Sequence, residues 1–386
     1  MILIYRRTLC CALAGAAFFG PVLSRISHAE QADRFAGFPP IGKHRQPERT
    51  APVITSDGVT DVLRPAWTRA VTDLGGWPSL FRFKKDIYLA FYHGDGHRYK
   101  TLESTDRLKT YRSRDEGKTW TEIPSCPAND PNKFQGTPEF LAVGDKLFCY
   151  DFNASRQTQV RVSTDGETWS EAQDCYKAPF YFWGVMHDPV SGMFWCPPHA
   201  IPNKGTSKER QIHLINSKDG IHWDFVSLVA PFTNASESTL RFEPDRTMSI
   251  IIRRKYGKTC NVAVAKPPYK EWELRELPVI AEGEHFVEIG GQAFVGSRAS
   301  YRGKDERVLT GPDVFDKRKS YSTIYRWTPD RQLVEWAVMD SMGDCSYPHL
   351  VETPNEVLCL YYSQHENGMC KTYLCSYDKQ AFLKKN

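Results

Sequence analysis

No stretch of this 386-residue chain gathers charge of one sign: 50 Lys and Arg stand against 46 Asp and Glu, a formal net charge of +4, with the basic residues scattered. A nucleic-acid partner, which calls for a basic patch or stripe, is therefore not expected. The cysteines contain no CxxC pair and no repeated Cys/His spacing, which argues against a structural zinc site. No carboxylate cluster calls for calcium, and no metal or cofactor is expected. No long stretch keeps a 3.6-residue apolar period, so a helical fold is not expected either.

What is present starts with a leader. MILIYRR is a basic start, TLCCALAGAAFFGPVL is apolar but short for a bilayer span, and Ser27-His28-Ala29 offers small residues for cleavage. Residues 1–29 read as a secretory signal, with a retained membrane anchor as the alternative, and Arg6-Arg7 also permits a twin-arginine signal. A secreted or periplasmic protein with no membrane span after signal removal is the expectation. Two of the 11 cysteines fall in the leader, and the remaining odd number leaves at least one thiol unpaired. Cys359, Cys370 and Cys375 read either as holding a bridge across the last strands or as buried free thiols.

Residues 30–70 are polar and Pro-containing, an extended lead-in. After them come short runs such as DIYLAFYH, KLFCYDF, QVRVST, QIHLINS, MSIIIRR, STIYRW and EVLCLYYS, β-branched and aromatic, bounded by Gly, Pro, Asp or Asn. Three polar turns follow such runs: SRDEGKTW (113–120), STDGETW (163–169) and SKDGIHW (217–223), with Asp115, Asp165 and Asp219 spaced by 50 and 54 residues. Ser and Asp bond the backbone of a tight hairpin, Gly supplies a positive φ, and Trp returns to pack between neighbouring units. A period near 50 in an all-strand sequence is that of a propeller blade of four antiparallel strands. Residues 71–386 are thus expected to form an all-β, six-bladed β-propeller, with EPDRT and TPDRQ as degenerate copies of the turn.

The turns resemble the Asp box (BNR repeat), S-x-D-x-G-x-x-W, of the sialidase (neuraminidase) superfamily, and the resemblance extends to ESTLRFEPDRTMSIIIRR (237–254) and GDCSYPHLVETPNEVLCLYYSQHE (343–366). It implies a Glu sixteen residues before a substrate-binding Arg, matched by Glu237 and Arg253, a nucleophilic Tyr, matched by Tyr347, and a further arginine, matched by Arg298. A tyrosine is a poor nucleophile unless a carboxylate takes its proton as it attacks. Arginines would hold the acid group of the sugar through paired hydrogen bonds. Where the family carries its first arginine this chain has Tyr92 and His93, with Arg82 nearby as a substitute. The leaving-group acid has Asp130 and Glu139 as its nearest counterparts.

The resemblance implies a sialidase-like glycoside hydrolase acting on a terminal acidic sugar of a glycan, with Tyr347 and Glu237 as catalytic residues. His97 is a further candidate acid or base, and Arg253, Arg298, His93, His365 and Glu366 are candidates to bind substrate. Trp77, Tyr181 and Trp183 are candidates to stack on sugar faces. Two alternatives stand beside this reading: a lyase acting on uronate polysaccharides, which would use His or Tyr to remove the proton beside an arginine-neutralised carboxylate, and a glycan-binding propeller without catalysis.

Overall fold

The short β-branched and aromatic runs become strands because every second side chain can be buried between stacked sheets. A computed structural model describes residues 37–38, 62–93, 108–127, 138–153, 156–200, 209–233, 235–254, 259–300, 320–366 and 369–384. The expected leader, most of the lead-in, His97 and Asp130 lie outside these residues.

Six antiparallel sheets follow one another along the chain. Blade 1 runs β2 (Gly76–Phe83), β3 (Asp86–Tyr92), β4 (Leu108–Ser113), β5 (Thr121–Ile123). Blade 2 runs β6 (Glu139–Val143), β7 (Lys146–Phe152), β8 (Thr158–Ser163), β9 (Gln173–Asp174). In blade 3 the first two strands are each interrupted, as β10 (Phe180–Tyr181) with β11 (Met186–Asp188) and β12 (Met193–Cys196) with β13 (His199–Ala200); β14 (Glu209–Ser217) and β15 (Asp224–Thr233) complete it. Blade 4 comprises β16 (Ala235–Phe242), β17 (Met248–Arg254), β18 (Cys260–Ala265) and β19 (Glu273–Leu277). Blade 5 comprises β20 (Glu282–Ile289), β21 (Gln292–Ser300), β22 (Ser320–Trp327) and β23 (Leu333–Val338).

Blade 6 closes the ring. Its β24 (Ser346–Glu352), β25 (Glu356–Ser363) and β26 (Lys371–Asp378) are joined by β1 (Trp67–Ala70), which pairs with β26 from Trp67↔Ser376 to Ala70↔Tyr373. The last residues of the expected lead-in therefore belong to the propeller. A short helix, α1 (Lys379–Lys384), buries Phe382 against blades 5 and 6. No helix among the described residues is long and apolar enough to cross a membrane.

The core is distributed as layers between neighbouring blades. Ile87, Leu89 and Tyr111 of blade 1 pack with Leu358, Leu360 and Leu374 of blade 6, and Phe148 and Tyr150 of blade 2 with Phe182 and Phe194 of blade 3. Ile212 and Leu214 meet Ile250 and Ile252 between blades 3 and 4, and equivalent layers follow between blades 4 and 5 and between 5 and 6. All nine cysteines among the described residues are buried free thiols, with Cys359 and Cys375 opposite each other on β25 and β26, so the bridge considered for the last strands is not formed.

The three Ser-x-Asp turns join the third and fourth strands of blades 1, 2 and 3 and share one hydrogen-bond pattern. Ser113, Ser163 and Ser217 accept at Oγ from the N–H of Gly117, Gly166 and Gly220 at 2.8, 2.8 and 2.9 Å. Each Asp accepts at Oδ1 from its own Ser and from the backbone of Thr119, Thr168 or His222. The glycines have φ between 76° and 82°, and each lies against the preceding blade: a Cβ would meet Leu358 at 2.4 Å, Tyr88 at 2.9 Å and Phe148 at 2.9 Å respectively. Trp120, Trp169 and Trp223 enter the same seams. TPDRQ sits on the corresponding hairpin of blade 5, with Thr328 Oγ1 on Asp330 at 2.5 Å. EPDRT instead joins the first and second strands of blade 4, so it is not an equivalent turn.

Ser163 is 2 % exposed, and its removal would leave the Gly166 N–H without its acceptor. Ser163→Ala is expected to lower unfolding free energy by about 1–3 kcal/mol, read as a fall in the urea midpoint with unchanged slope; an unaltered midpoint would show that the turn does not hold the seam.

Candidate active site

Strand direction separates the two faces of the ring. The Ser-x-Asp turns lie at the end where third strands finish, and the first strands begin at the other. At that other end, four first strands carry an extra residue at the same step. Their pairing slips between Gly76 and Ser79, Ala235 and Ser238, Glu282 and His285, and Ser346 and His349. Such bulges re-aim side chains. The slipped residues include Trp77 of blade 1, Glu237 of blade 4, Gly283 and Glu284 of blade 5, and Tyr347 of blade 6.

Trp77 and Tyr347 have φ of 49° and 53°, left-handed values that strain a bulky residue. Each is followed by proline. Gly283, with φ 60°, is the blade 5 counterpart, and glycine is required there because a Cβ would lie 2.2 Å from Tyr347 Cε1. The Tyr347 ring also packs on Trp183, centroids 4.9 Å apart, and on Tyr362 at 5.7 Å. Trp183, in the gap between β10 and β11, donates Nε1 to the Glu284 carbonyl at 2.9 Å. Trp77, Tyr92, Phe152 and Tyr181 complete one aromatic cluster around Tyr347.

Tyr347 donates its hydroxyl to Glu237 Oε1 at 3.3 Å, while Arg253 Nη1 donates to Glu237 Oε2 at 2.5 Å. Arg253 Nη2 lies 3.5 Å from Glu282 Oε2, which also receives Arg298 Nε at 2.8 Å and Nη2 at 2.5 Å. Arg298 Nη1 reaches Asp344 Oδ1 at 3.5 Å, and Asp344 accepts from the Tyr362 hydroxyl at 3.1 Å. Tyr347, Glu237, Arg253 and Arg298, which the sequence singled out separately, thus form one network across blades 4, 5 and 6. The side chains of Glu237, Arg253, Glu282 and Arg298 keep 12 to 18 % of their surface exposed to water.

Burial pushes the Glu237 carboxyl up, but the Arg253 guanidinium outweighs it, with His199 adding to the effect, and holds the group well below the usual carboxylate range. Burial, reinforced by the charge of Glu237, raises the Tyr347 phenol far above the ordinary tyrosine value. At rest the proton belongs to the tyrosine. Glu282 is likewise lowered, because Arg298 and Arg253 override its burial. Glu284 has both carboxyl oxygens buried without a side-chain partner among the described residues, and burial together with the charge of Glu237 raises it well above the usual carboxylate range.

Other expected residues lie elsewhere in the network or outside it. His93 follows β3, half buried. His365 bonds Ser363 Oγ through Nδ1 at 2.9 Å and packs at a tilt on Tyr373, centroids 4.6 Å apart, and Glu366 pairs with the buried Lys371 at 3.0 Å, so both are engaged within blade 6. Arg82 is no substitute for a first arginine: it grips Glu116 at 2.6 Å and the Glu352 carbonyl at 2.9 Å at the opposite end of its strand from Trp77. Glu139 is 4 % exposed, with Oε1 3.8 Å from His285 Nδ1, and His285 stacks on His349 at 4.4 Å. Burial raises the Glu139 carboxyl to about 8 against backbone N–H groups of Gly184 and Val185. Glu282 was not singled out from sequence. The spacing that marks Glu237 and Arg253 recurs one blade later as Glu282 and Arg298, and that repetition was the available signal.

No protein-family model and no curated protein matches the sequence. Solved structures do match. Trypanosoma rangeli sialidase in complex with the inhibitor DANA superposes with a TM-score of 0.57 at 13 % identity, covering 81 % of this chain and 56 % of that one. The covalent-intermediate complex of the same enzyme with 2,3-difluorosialic acid gives 0.55 at 12 % identity, with 81 % and 54 % covered. Phage phi92 endosialidase gives 0.55 at 10 % identity, with 81 % and 68 % covered. This chain spans about half the length of the trypanosome enzymes, and what is shared at such identity is the fold.

Because the Glu139 carboxyl is raised on folding, the native state holds a proton that the unfolded chain releases, so stability from this group falls as pH rises from about 4.5 to about 8. Glu139→Gln is expected to raise the melting temperature by several degrees at pH 8 and to change it little at pH 4.5. A gain equal at both pH values would show that the carboxyl is not held protonated.

Proposed function

Starting from a sialidase-like β-propeller with a Tyr–Glu–Arg set at its axis, we propose that this protein is a glycoside hydrolase that removes a terminal sugar from a glycan through a tyrosyl intermediate. The observation that carries the reading is the carboxylate of Glu237 placed between the hydroxyl of Tyr347 and the guanidinium of Arg253.

In the first step the Tyr347 oxygen attacks the anomeric carbon while Glu237 takes the phenol proton, and the bond to the leaving oxygen breaks as an acid protonates it. In the second, water attacks the same carbon, its proton passes to the spent acid, and Glu237 returns a proton to the departing phenolate. Two inversions give net retention. Proton transfer and attack must be concerted, since a phenol raised this far does not ionise beforehand. Of the carboxyls expected to serve as acid, Asp130 lies outside the described residues and Glu139 is almost fully buried. The trypanosome sialidase captured as a covalent intermediate supports a glycosyl-enzyme on this fold. With residues 1–29 read as an export signal, the glycan would be met outside the cytoplasm.

Tyr347→Phe is expected to lower kcat by roughly 10³-fold or more, and Glu237→Gln by roughly 10²- to 10⁴-fold. The measurement is hydrolysis of 4-methylumbelliferyl glycosides, neutral and acidic, with melting curves confirming that each variant folds. Activity that survives Tyr347→Phe, or no hydrolysis of any glycoside by the wild-type protein, sinks the reading.

A further inference from the structure

The sequence expectation was that Arg253 and Arg298 grip the acid group of a sugar. In the folded chain both guanidinium groups already face carboxylates of the protein. Arg253 is held by Glu237 and Glu282, and Arg298 by Glu282 and Asp344. Two cations therefore face three carboxylates. Glu282 is central to this, because its Oε2 takes hydrogen bonds from Arg298 Nε and Nη2 and lies 3.5 Å from Arg253 Nη2, setting one carboxylate against both guanidinium groups, with Arg253 Nε left without a hydrogen-bond partner among the described residues.

We propose that Glu282 is a built-in anion filling the place between Arg253 and Arg298, so that the site takes an uncharged sugar and rejects acidic ones. This rests on the reading of the axial network as a glycan site. A fourth carboxylate brought here would meet no unpaired cation among these residues and would lose its hydration in a low-dielectric surround. An uncharged sugar avoids that penalty, because its hydroxyls donate to the part-exposed carboxylates of Glu237 and Glu282 without bringing a further charge. Glu282 comes from the bulged start of β20, the strand whose Gly283 makes room for Tyr347, so its carboxylate is positioned by the same bend that seats the tyrosine. It is a specificity-determining residue.

The test measures binding and does not require turnover. Titration calorimetry and saturation-transfer NMR on the full chain compare methyl glycosides of galactose, glucose, N-acetylglucosamine and fucose with N-acetylneuraminic acid and glucuronic acid. The wild-type protein is expected to bind at least one neutral glycoside tenfold or more tightly than either acid. Glu282→Gln, which keeps the shape and removes the charge, is expected to tighten binding of the acids by tenfold or more. Wild-type preference for an acidic sugar, or no binding of any neutral one, overturns the inference; so does a Glu282→Gln protein that folds with the wild-type ranking. Should that variant not fold, the wild-type ranking decides. Neutral binding without hydrolysis would leave the inference standing and remove the hydrolase, whereas sialoside hydrolysis lost in Tyr347→Phe would do the reverse.

Discussion

Glu237 gives one oxygen to a phenol and the other to a guanidinium, and a carboxylate this enclosed stays ionised only because the second partner is cationic. The same pairing sets the character of the tyrosine, whose proton is held more tightly by burial and by the adjacent negative charge. Anything that draws Arg253 away from Glu237 strengthens the base and at the same time removes a cation that holds the phenol pKa down, so the two partners rise together. The network is therefore coupled: Arg253 is shared with Glu282, Glu282 with Arg298, and Arg298 with Asp344, so a change at one end alters the charge balance felt at the other.

That network depends on a repeated departure from regular pairing. A first strand with unbroken alternation would send Trp77, Glu237 and Tyr347 along the usual pleat. One extra residue at the same step in four blades turns these side chains together at one end of the axis. Strained backbone at Trp77 and Tyr347, and a glycine facing the tyrosine, accompany that convergence. Stability comes from elsewhere, the apolar layers between blades and the Ser-x-Asp turns at the opposite face, which leaves the axial end free to carry buried charge.

Much of this was legible in the sequence, for reasons that differ by feature. The Ser-x-Asp turns were readable because a few consecutive residues contain every donor and acceptor they use. Glu237, Arg253, Arg298 and Tyr347 were found through resemblance to a family, but their contacts run between blades and no local pattern states them. Glu282 was passed over although it lies sixteen residues before Arg298, as Glu237 does before Arg253. Two of the four bulges also had a signature, an aromatic residue followed by proline in GGWPS and CSYPH, which is visible only when the first and last blades are laid side by side. EPDRT and Arg82 were misplaced because composition does not say which hairpin, or which end of a strand, a residue occupies.

Closure of the ring by β1 against β26 sets an order on the birth of the molecule. Trp67–Ala70 leave the ribosome long before the partner strand Lys371–Asp378 has been made, so the edge of β1 waits unpaired while five blades are synthesised. During translation the half-built propeller is an open arc with raw edges at both ends, and the seam where Ile87, Leu89 and Tyr111 meet Leu358, Leu360 and Leu374 is completed only once the final strand has been made.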